Sequence, residues 1–394
     1  MSTCNICDTE HAAPVYVSPE NVSITSLTEI RSGRTEIFAC ANCGHLQTTP
    51  LPNLDKYYDQ QYRILIDSED EDQLYKIVNG KKFYRVRHQV ETLLRKVDLP
   101  IGANVLDFGC AKGASARQLA SFRPDVNVHL FDVSRMYLPF WERFSTKDRW
   151  ATHTVPDSWR EKFDAVFSMY VAEHVAEPIA FARQISSLLK PGGTMYWLVP
   201  NVGENTADFI VADHVNHFSE HSLTTLIAQT GLKLREIDCR SHEAGLIAIA
   251  DLKSTESSCH PKTSLAEWHS EVRGISSFWS GLGSRIRQFE RRRSANEAAA
   301  IYGSGFYGTF VASCLKSLDN VQCFLDQNPF RRGKTLLDKP ILDPRELDES
   351  IQRVYVGLNP RSARTIIRDI DAWRERDFDL CFLSDDESTV RNAA

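Results

Sequence analysis

From Asn104 to about residue 250 the chain alternates apolar, strand-like runs with helical segments, and the first run breaks at a glycine turn that opens a helix. The runs are Val105-Leu106-Asp107-Phe108, Val128-His129-Leu130-Phe131, Ala165-Val166-Phe167-Ser168 and Thr194-Met195-Tyr196-Trp197-Leu198. Regular strand and helix alternation predicts a parallel sheet covered on both faces, so the fold class is α/β. The turn carries Gly109 and Gly113, and the helix starts near Ala114. Glycines at such a turn let backbone amides approach a ligand closely, and a helix N-terminus favours negative or electron-rich groups.

A chain of 394 residues exceeds one ordinary core. Five segments are expected: a cysteine-bearing module over 1–62, a helical linker over 63–103, the α/β domain over 104–260, a helical connector over 261–298 and a Rossmann-like unit over 299–394. Leu74, Ile77, Val78, Val86, Val90, Leu93 and Leu94 supply the linker with an apolar stripe. The connector includes the run Arg291-Arg292-Arg293, read as a solvated face. The last unit opens with the strand Ala300-Ile301-Tyr302, and further strands are expected at 321–325, 353–356 and 380–382.

The chain begins without the basic and apolar regions of a signal peptide, and no stretch of about 18 apolar residues occurs, so a cytoplasmic address without membrane contact is expected. There the ten cysteines remain thiols or metal ligands. Cys4, Cys7, Cys40 and Cys43 form two identical close pairs, a set that can close a tetrahedral shell around structural zinc. A redox role for one pair is the alternative. A formal net charge of −6 disfavours a surface built to neutralise nucleic-acid phosphates.

The glycine loop is not a dinucleotide fingerprint, because Ala111 stands between Gly109 and Gly113. Asp132 ends the next strand about 20 residues on, where an acid accepts hydrogen bonds from both ribose hydroxyls of a nucleoside. Pro156 and Asp157 precede the strand from Phe163, and Glu173 and His174 follow it. With Leu189-Lys-Pro-Gly-Gly193, this order resembles class I methyltransferases. The resemblance implies that Asp107, Gly109, Ala111, Gly113, Asp132, Pro156 and Asp157 bind S-adenosylmethionine, loop amides cupping its amino-acid tail. RNA methylation is a competing reading, but between Cys7 and Cys40 only Arg31 and Arg34 are basic.

The whole order, a four-cysteine module followed by a methyltransferase domain and a second Rossmann-like unit, resembles sugar C-methyltransferases that act on nucleotide-linked ketosugars. The local match is Ile210-Val-Ala-Asp213-His214-Val-Asn-His217-Phe-Ser219. It implies that His214 is the catalytic base with Asp213 as its acidic neighbour, a pairing suited to removing a proton near neutral pH. His217 would share the work if the segment were one helical turn. The family carries Tyr and His where this chain has Val211 and Ala212, so the hydroxyl expected to hold a developing enolate is missing here. O-methylation of a sugar or glycan precursor therefore stays open, as does a noncatalytic binding module in which the histidines only brace the fold.

Glu173, His174, Asn201, Gly303, Gly305 and Tyr307 are assigned to a small-molecule substrate, a nucleotide-linked sugar. Gly303, Gly305 and Gly308 form a true Gly-x-Gly-x-x-Gly with Asp326 ending the following strand, which alone would point to a nicotinamide cofactor. Asp326-Gln-Asn-Pro329 and Gly333-Lys334 resemble the family's sugar-handling unit more closely.

Overall fold

The computed structural model describes residues 2–78, 80–252, 259–292 and 297–385. Arg293 of the arginine run lies outside them. By contacts the chain divides into two compact units, one formed by 1–13, 38–204 and 213–265, the other by 14–37, 205–212 and 266–394.

The first unit is built on a seven-stranded sheet: β1 (Asn104–Phe108), β2 (Asn127–Asp132), β3 (Trp150–Thr152), β4 (Phe163–Met169), β5 (Leu189–Pro200), β6 (Leu232–Asp238) and β7 (Gly245–Leu252). Their spatial order is β3-β2-β1-β4-β5-β7-β6, with β7 antiparallel to both β5 and β6 and the remaining pairs parallel. The order reverses between β1 and β4, and ligands of such sheets bind outside the carboxyl ends of the strands at that point. Two apolar clusters cover the two faces, one around Phe163, Trp197 and Phe218 and the other around Val105, Trp141 and Tyr196. Both contain fully buried β-sheet residues, as a doubly covered sheet requires.

The helical reading of 63–103 needs correction. Leu74–Val78 and Lys81–Tyr84 form an antiparallel hairpin, and only α1 (Arg85–Lys96) is a regular helix. Gly80 occupies the left-handed region at φ 75°, a turn conformation that ends any helix. The apolar spacing of Leu74, Ile77 and Val78 matches a helical stripe only by coincidence, for Ile77 and Val78 are exposed.

In the second unit a six-stranded sheet carries strands Ala299–Tyr302, Val321–Leu325, Thr335–Leu336, Lys339–Leu342, Arg353–Val356 and Asp379–Phe382. The 27-residue helix Leu265–Arg291 buries Trp268, Val272, Ile275, Trp279, Leu282, Ile286 and Phe289 at three- and four-residue spacings, the signature of one apolar face. Residues 14–37 join this unit rather than the cysteine pairs: Tyr16 packs edge-on against Phe209, and Ser276 Oγ donates to the Val15 carbonyl. These partners lie far apart in sequence, so spacing alone gave no sign of them. Among the described residues no helix is long and apolar enough to cross a membrane.

Candidate functional site

At the carboxyl end of β1, Gly109 and Gly113 have φ of 85° and 75°, and Ala111 joins them in the left-handed region at 46°. A side chain at Gly109 would place its Cβ 2.4 Å from Val171, so close approach forces glycine there. Within the loop Gly109 and Cys110 both donate to the Phe131 carbonyl, Gly113 donates to Cys110, and Ala111 donates to Asp132 Oδ2 at 2.8 Å, so the turn is fastened to the neighbouring strand.

Asp132 ends β2 as predicted. Its Oδ1 accepts from Ser134 N at 2.9 Å, yet each carboxylate oxygen retains lone-pair capacity for a ribose hydroxyl. Burial pushes this carboxyl up to about 6 against the opposing backbone hydrogen bonds from Ser134 and Ala111. Asp107 sits beside it, only 3% exposed, with Oδ2 lacking a partner among the described residues. Burial first and the neighbouring Asp132 second hold it well above the usual carboxylate range. Polar capacity of this kind at the switch point fits a nucleoside-bearing donor. Pro156 precedes the short helical turn Asp157–Trp159, with Asp157 exposed ahead of β4.

A testable consequence follows for donor binding. Only the ionised Asp132 accepts both hydroxyls, so affinity for S-adenosylhomocysteine should be full at about pH 7 and above. It should decline as pH falls through about 6, by up to about tenfold per unit. Calorimetry from about pH 5 to about pH 8 checks this, and D132N should bind weakly without that inflection.

Around Glu173 and His174 a second cluster assembles. The Tyr58 hydroxyl lies 2.6 Å from His174 Nδ1 and donates to the Asp213 carbonyl at 2.6 Å. A carbonyl cannot donate, so the Tyr58 proton points to Asp213 and His174 Nδ1 carries the hydrogen of the other bond. His174 Nε2 lies 3.9 Å from Glu173 Oε1. His214 meets His174 edge-to-face with ring centroids 4.7 Å apart. Burial first and Asp213 second push the Tyr58 phenol upward, so it stays protonated.

Asn216 holds the floor of this cluster. Its Nδ2 donates to the carbonyls of Ala172 and Val175, and its Oδ1 accepts from Asn5 Nδ2 at 2.7 Å. His217 lies beside His214, ring centroids 6.4 Å apart, but not through a helical turn. Residues Asn216–His217 form a short strand against Leu46–Thr48, not a helical turn, and His217 Nε2 is bonded to Thr48 Oγ1 at 2.7 Å. Asn201 Oδ1 caps a turn by accepting from Gly203 N.

Sequence reading missed Tyr58. It lies on the π-helical turn Tyr57–Gln61, flanked by Tyr62, whose ring is 5.4 Å from His174. The local signal was the tyrosine density of Tyr57, Tyr58 and Tyr62, together with the tendency of π-turns to mark functional sites.

The sulfur atoms of Cys4, Cys7, Cys40 and Cys43 lie within 4.8 Å of one another. Cys4 to Cys43 is 3.6 Å and Cys7 to Cys40 is 3.4 Å, near the roughly 3.8 Å edge of a tetrahedron with metal–sulfur bonds of about 2.3 Å. Asp8 N returns to the Cys4 carbonyl and Gly44 N to the Cys40 carbonyl, both at 3.0 Å, so the two loops follow the same path. The Cys43 thiol donating to Cys4 brings Cys4 down to about 5, toward the thiolate that metals bind. Donor chemistry and spacing both fit zinc.

In the second unit the glycine fingerprint is closed. A Cβ at Gly308 would lie 1.8 Å from the Gly303 carbonyl oxygen, and one at Gly303 would lie 2.1 Å from that of Gly357. Ser304 Oγ donates to Asp326, and Gly305 starts the helix that carries Tyr307. The buried Tyr307 hydroxyl accepts from Ala207 N at 3.1 Å and lies 3.2 Å from Thr206 Oγ1, pinning residues of its own unit.

Residues 78–237 match a family model described as a methyltransferase domain. The ubiquinone biosynthesis O-methyltransferase of Xanthomonas campestris pv. campestris strain B100 is 34% identical over 116 residues, 27% of this chain and 47% of that protein. The protein of that description from Dinoroseobacter shibae is 30% identical over 154 residues, 34% of this chain and 60% of its own length. The chain thus spans about half the length of the curated relatives it matches. A SAM-dependent methyltransferase from Aquifex aeolicus superimposes on 41% of this chain and 89% of its own with a TM-score of 0.34 and 16% identity. With its strand order and family match, the first unit has the class I methyltransferase Rossmann-like α/β fold.

Proposed function

We propose that this chain transfers a methyl group from S-adenosylmethionine to a carbon of a nucleotide-linked ketosugar, with His214 as the base. The observation that carries the reading is the convergence of His214, His174, Glu173 and the Tyr58 hydroxyl beside Asp213. Bound at the end of β1 and β2, the donor would supply an electrophilic methyl on a sulfonium. His214 takes the proton from the carbon next to the ketone, as a neutral imidazole can near pH 7. Asp213 steadies the resulting imidazolium. Tyr58, bonded to both His174 Nδ1 and the Asp213 carbonyl, holds the two in place. The four cysteines hold structural zinc, for a closed sulfur shell leaves no position to activate water. Reduced thiols are consistent with a cytoplasmic setting.

Labelled donor incubated with a panel of nucleotide ketosugars should give a product whose new methyl carbon resonates as carbon-bonded. Absence of label in every member, with S-adenosylhomocysteine binding intact, overturns this reading. Oxygen as the acceptor is the second reading, favoured by the O-methyltransferase description of the matched relatives. It predicts an oxygen-bonded methyl resonance in the same experiment.

Y58F should lower kcat by about tenfold, the low end of what one positioned proton-handling group contributes. Donor affinity should remain unchanged. Single-turnover kinetics together with calorimetry would separate the two quantities.

A further inference from the structure

The hairpin Leu74–Val78 and Lys81–Tyr84 is a two-stranded sheet of its own. Its base is fastened to the unit. Asp72 accepts from Gln73 N at 2.7 Å and from Val86 N at 3.2 Å, Arg85 N donates to the Gln73 carbonyl, and the Tyr75 hydroxyl accepts from Glu243 N at 2.9 Å. Beyond that base the strands stand open. Among the described residues six large apolar side chains are exposed, and three of them, Ile77, Val78 and Phe83, lie on this hairpin. Apolar residues exposed singly are ordinary, whereas a cluster on one projecting element marks a contact surface. The charge around them has one sign. From Gln73 to Val90 the chain carries five cations, Lys76, Lys81, Lys82, Arg85 and Arg87, and no carboxylate, although its net charge is −6. Arg87 pairs with Glu91 and Arg85 lies over the Tyr170 ring, so the lysines carry the charge of the tip.

The pairing register sorts these side chains. Lys76 stands opposite Phe83 and Val78 opposite Lys81, and residues directly opposite share a face, as do residues two apart on one strand. One face therefore presents Lys76, Val78, Lys81 and Phe83, all four exposed, with cation and hydrocarbon alternating both along and across the strands. The Lys81 ammonium lies 5.5 Å from the centroid of the Phe83 ring, and the Lys76 ammonium 5.6 Å from that of Tyr75. Lysine stems lie along apolar surface in this way while their heads stay in polar surroundings. An anionic lipid surface satisfies both parts of the pattern at once. Val78 and Phe83 enter the acyl boundary, and Lys76 and Lys81 remain at the level of the phosphates. A nucleic acid would use the lysines but leave Ile77 and Val78 in water. Contact of this kind needs no spanning helix.

We propose that this hairpin seats the protein on an anionic lipid surface through the face formed by Lys76, Val78, Lys81 and Phe83. Flotation of the full-length, zinc-replete protein with vesicles of phosphatidylcholine, with and without phosphatidylglycerol, tests it. Binding should be about 25-fold tighter to the anionic vesicles, at about fivefold for each of the two lysines. It should fall as salt rises from about 0.1 M to about 1 M, which shortens the screening length from about 10 Å to about 3 Å. K76A/K81A should erase the preference for anionic lipid, and V78S/F83S should weaken binding to both kinds of vesicle by about tenfold or more. A wild type that binds neither vesicle, or a K76A/K81A variant that binds as the wild type does, overturns the proposal and leaves the methyl-transfer reading standing. Retention on single-stranded RNA without vesicle binding overturns it in favour of nucleic acid. A dimer in sedimentation that V78S/F83S abolishes, again without vesicle binding, assigns the face to a second copy instead. Should a variant fail to fold, the salt dependence and lipid-charge preference of the wild type decide.

Discussion

Replacing His214 by Asn should lower kcat by about 10²- to 10⁴-fold, the contribution typical of a positioned general base, and leave the affinity for S-adenosylhomocysteine within a factor of about two. The separation is expected because His214 belongs to the cluster with His174 and Tyr58, whereas Asp132 and Asp107, proposed to hold the nucleoside half of the donor, lie at the ends of β2 and β1. Rapid-quench measurement with labelled donor, paired with calorimetry, checks both quantities on one preparation. Turnover by H214N within about threefold of the wild type would remove His214 from the chemistry and make the histidines mere braces. Exchange of the sugar's acidic hydrogen for deuterium without donor offers an independent readout, and H214N should abolish it.

Loss of metal should produce the second large effect. A structural zinc in a small peptide contributes about 10–16 kcal/mol of folding free energy. If only about 5 kcal/mol of that is realised here, melting should fall by about 10–20 °C, at about 2–4 °C per kcal/mol for a domain of this size. C40S should accordingly purify with near-zero zinc instead of about one ion per chain, and chelation of the wild type should reproduce its melting curve. Metal analysis and calorimetric melting test this directly. A chelated protein that melts where the zinc-loaded one does would show that the cysteines are only buried thiols. The loss should reach the histidine cluster too, because Asn5, between Cys4 and Cys7, donates to Asn216, which positions Ala172 and Val175.

The strand, turn and helix that frame the proposed donor site were legible because their signals are local. Strand, glycine turn and helix follow one another within about 20 residues, and the acid at the next strand end sits at a fixed distance. The paired cysteines were legible for the same reason. The hairpin over 74–84 was not, since Leu74, Ile77 and Val78 match a helical spacing by coincidence, and Gly80 at φ 75° marks the turn. Tyr58 was hidden by distance: its partners His174 and Asp213 lie 116 and 155 residues along the chain. At His217 only the local structure differed, for Asn216–His217 is a short strand paired with Leu46–Thr48 and not a helical turn, while the ring still lies 6.4 Å from that of His214.

The glycines of the second unit teach a different lesson about motifs. At Gly303 and Gly308 any side chain would collide with backbone carbonyl oxygens of the unit itself, so selection for a sound fold suffices to preserve both residues. A fingerprint of this type can outlive whatever ligand it once served, kept in place by the geometry of a strand crossing a helix. Its persistence in a lineage then records architecture rather than occupancy, and mutational tolerance at the part-buried Ser304–Asp326 contact would be a better gauge of a living nucleotide site than the glycines are.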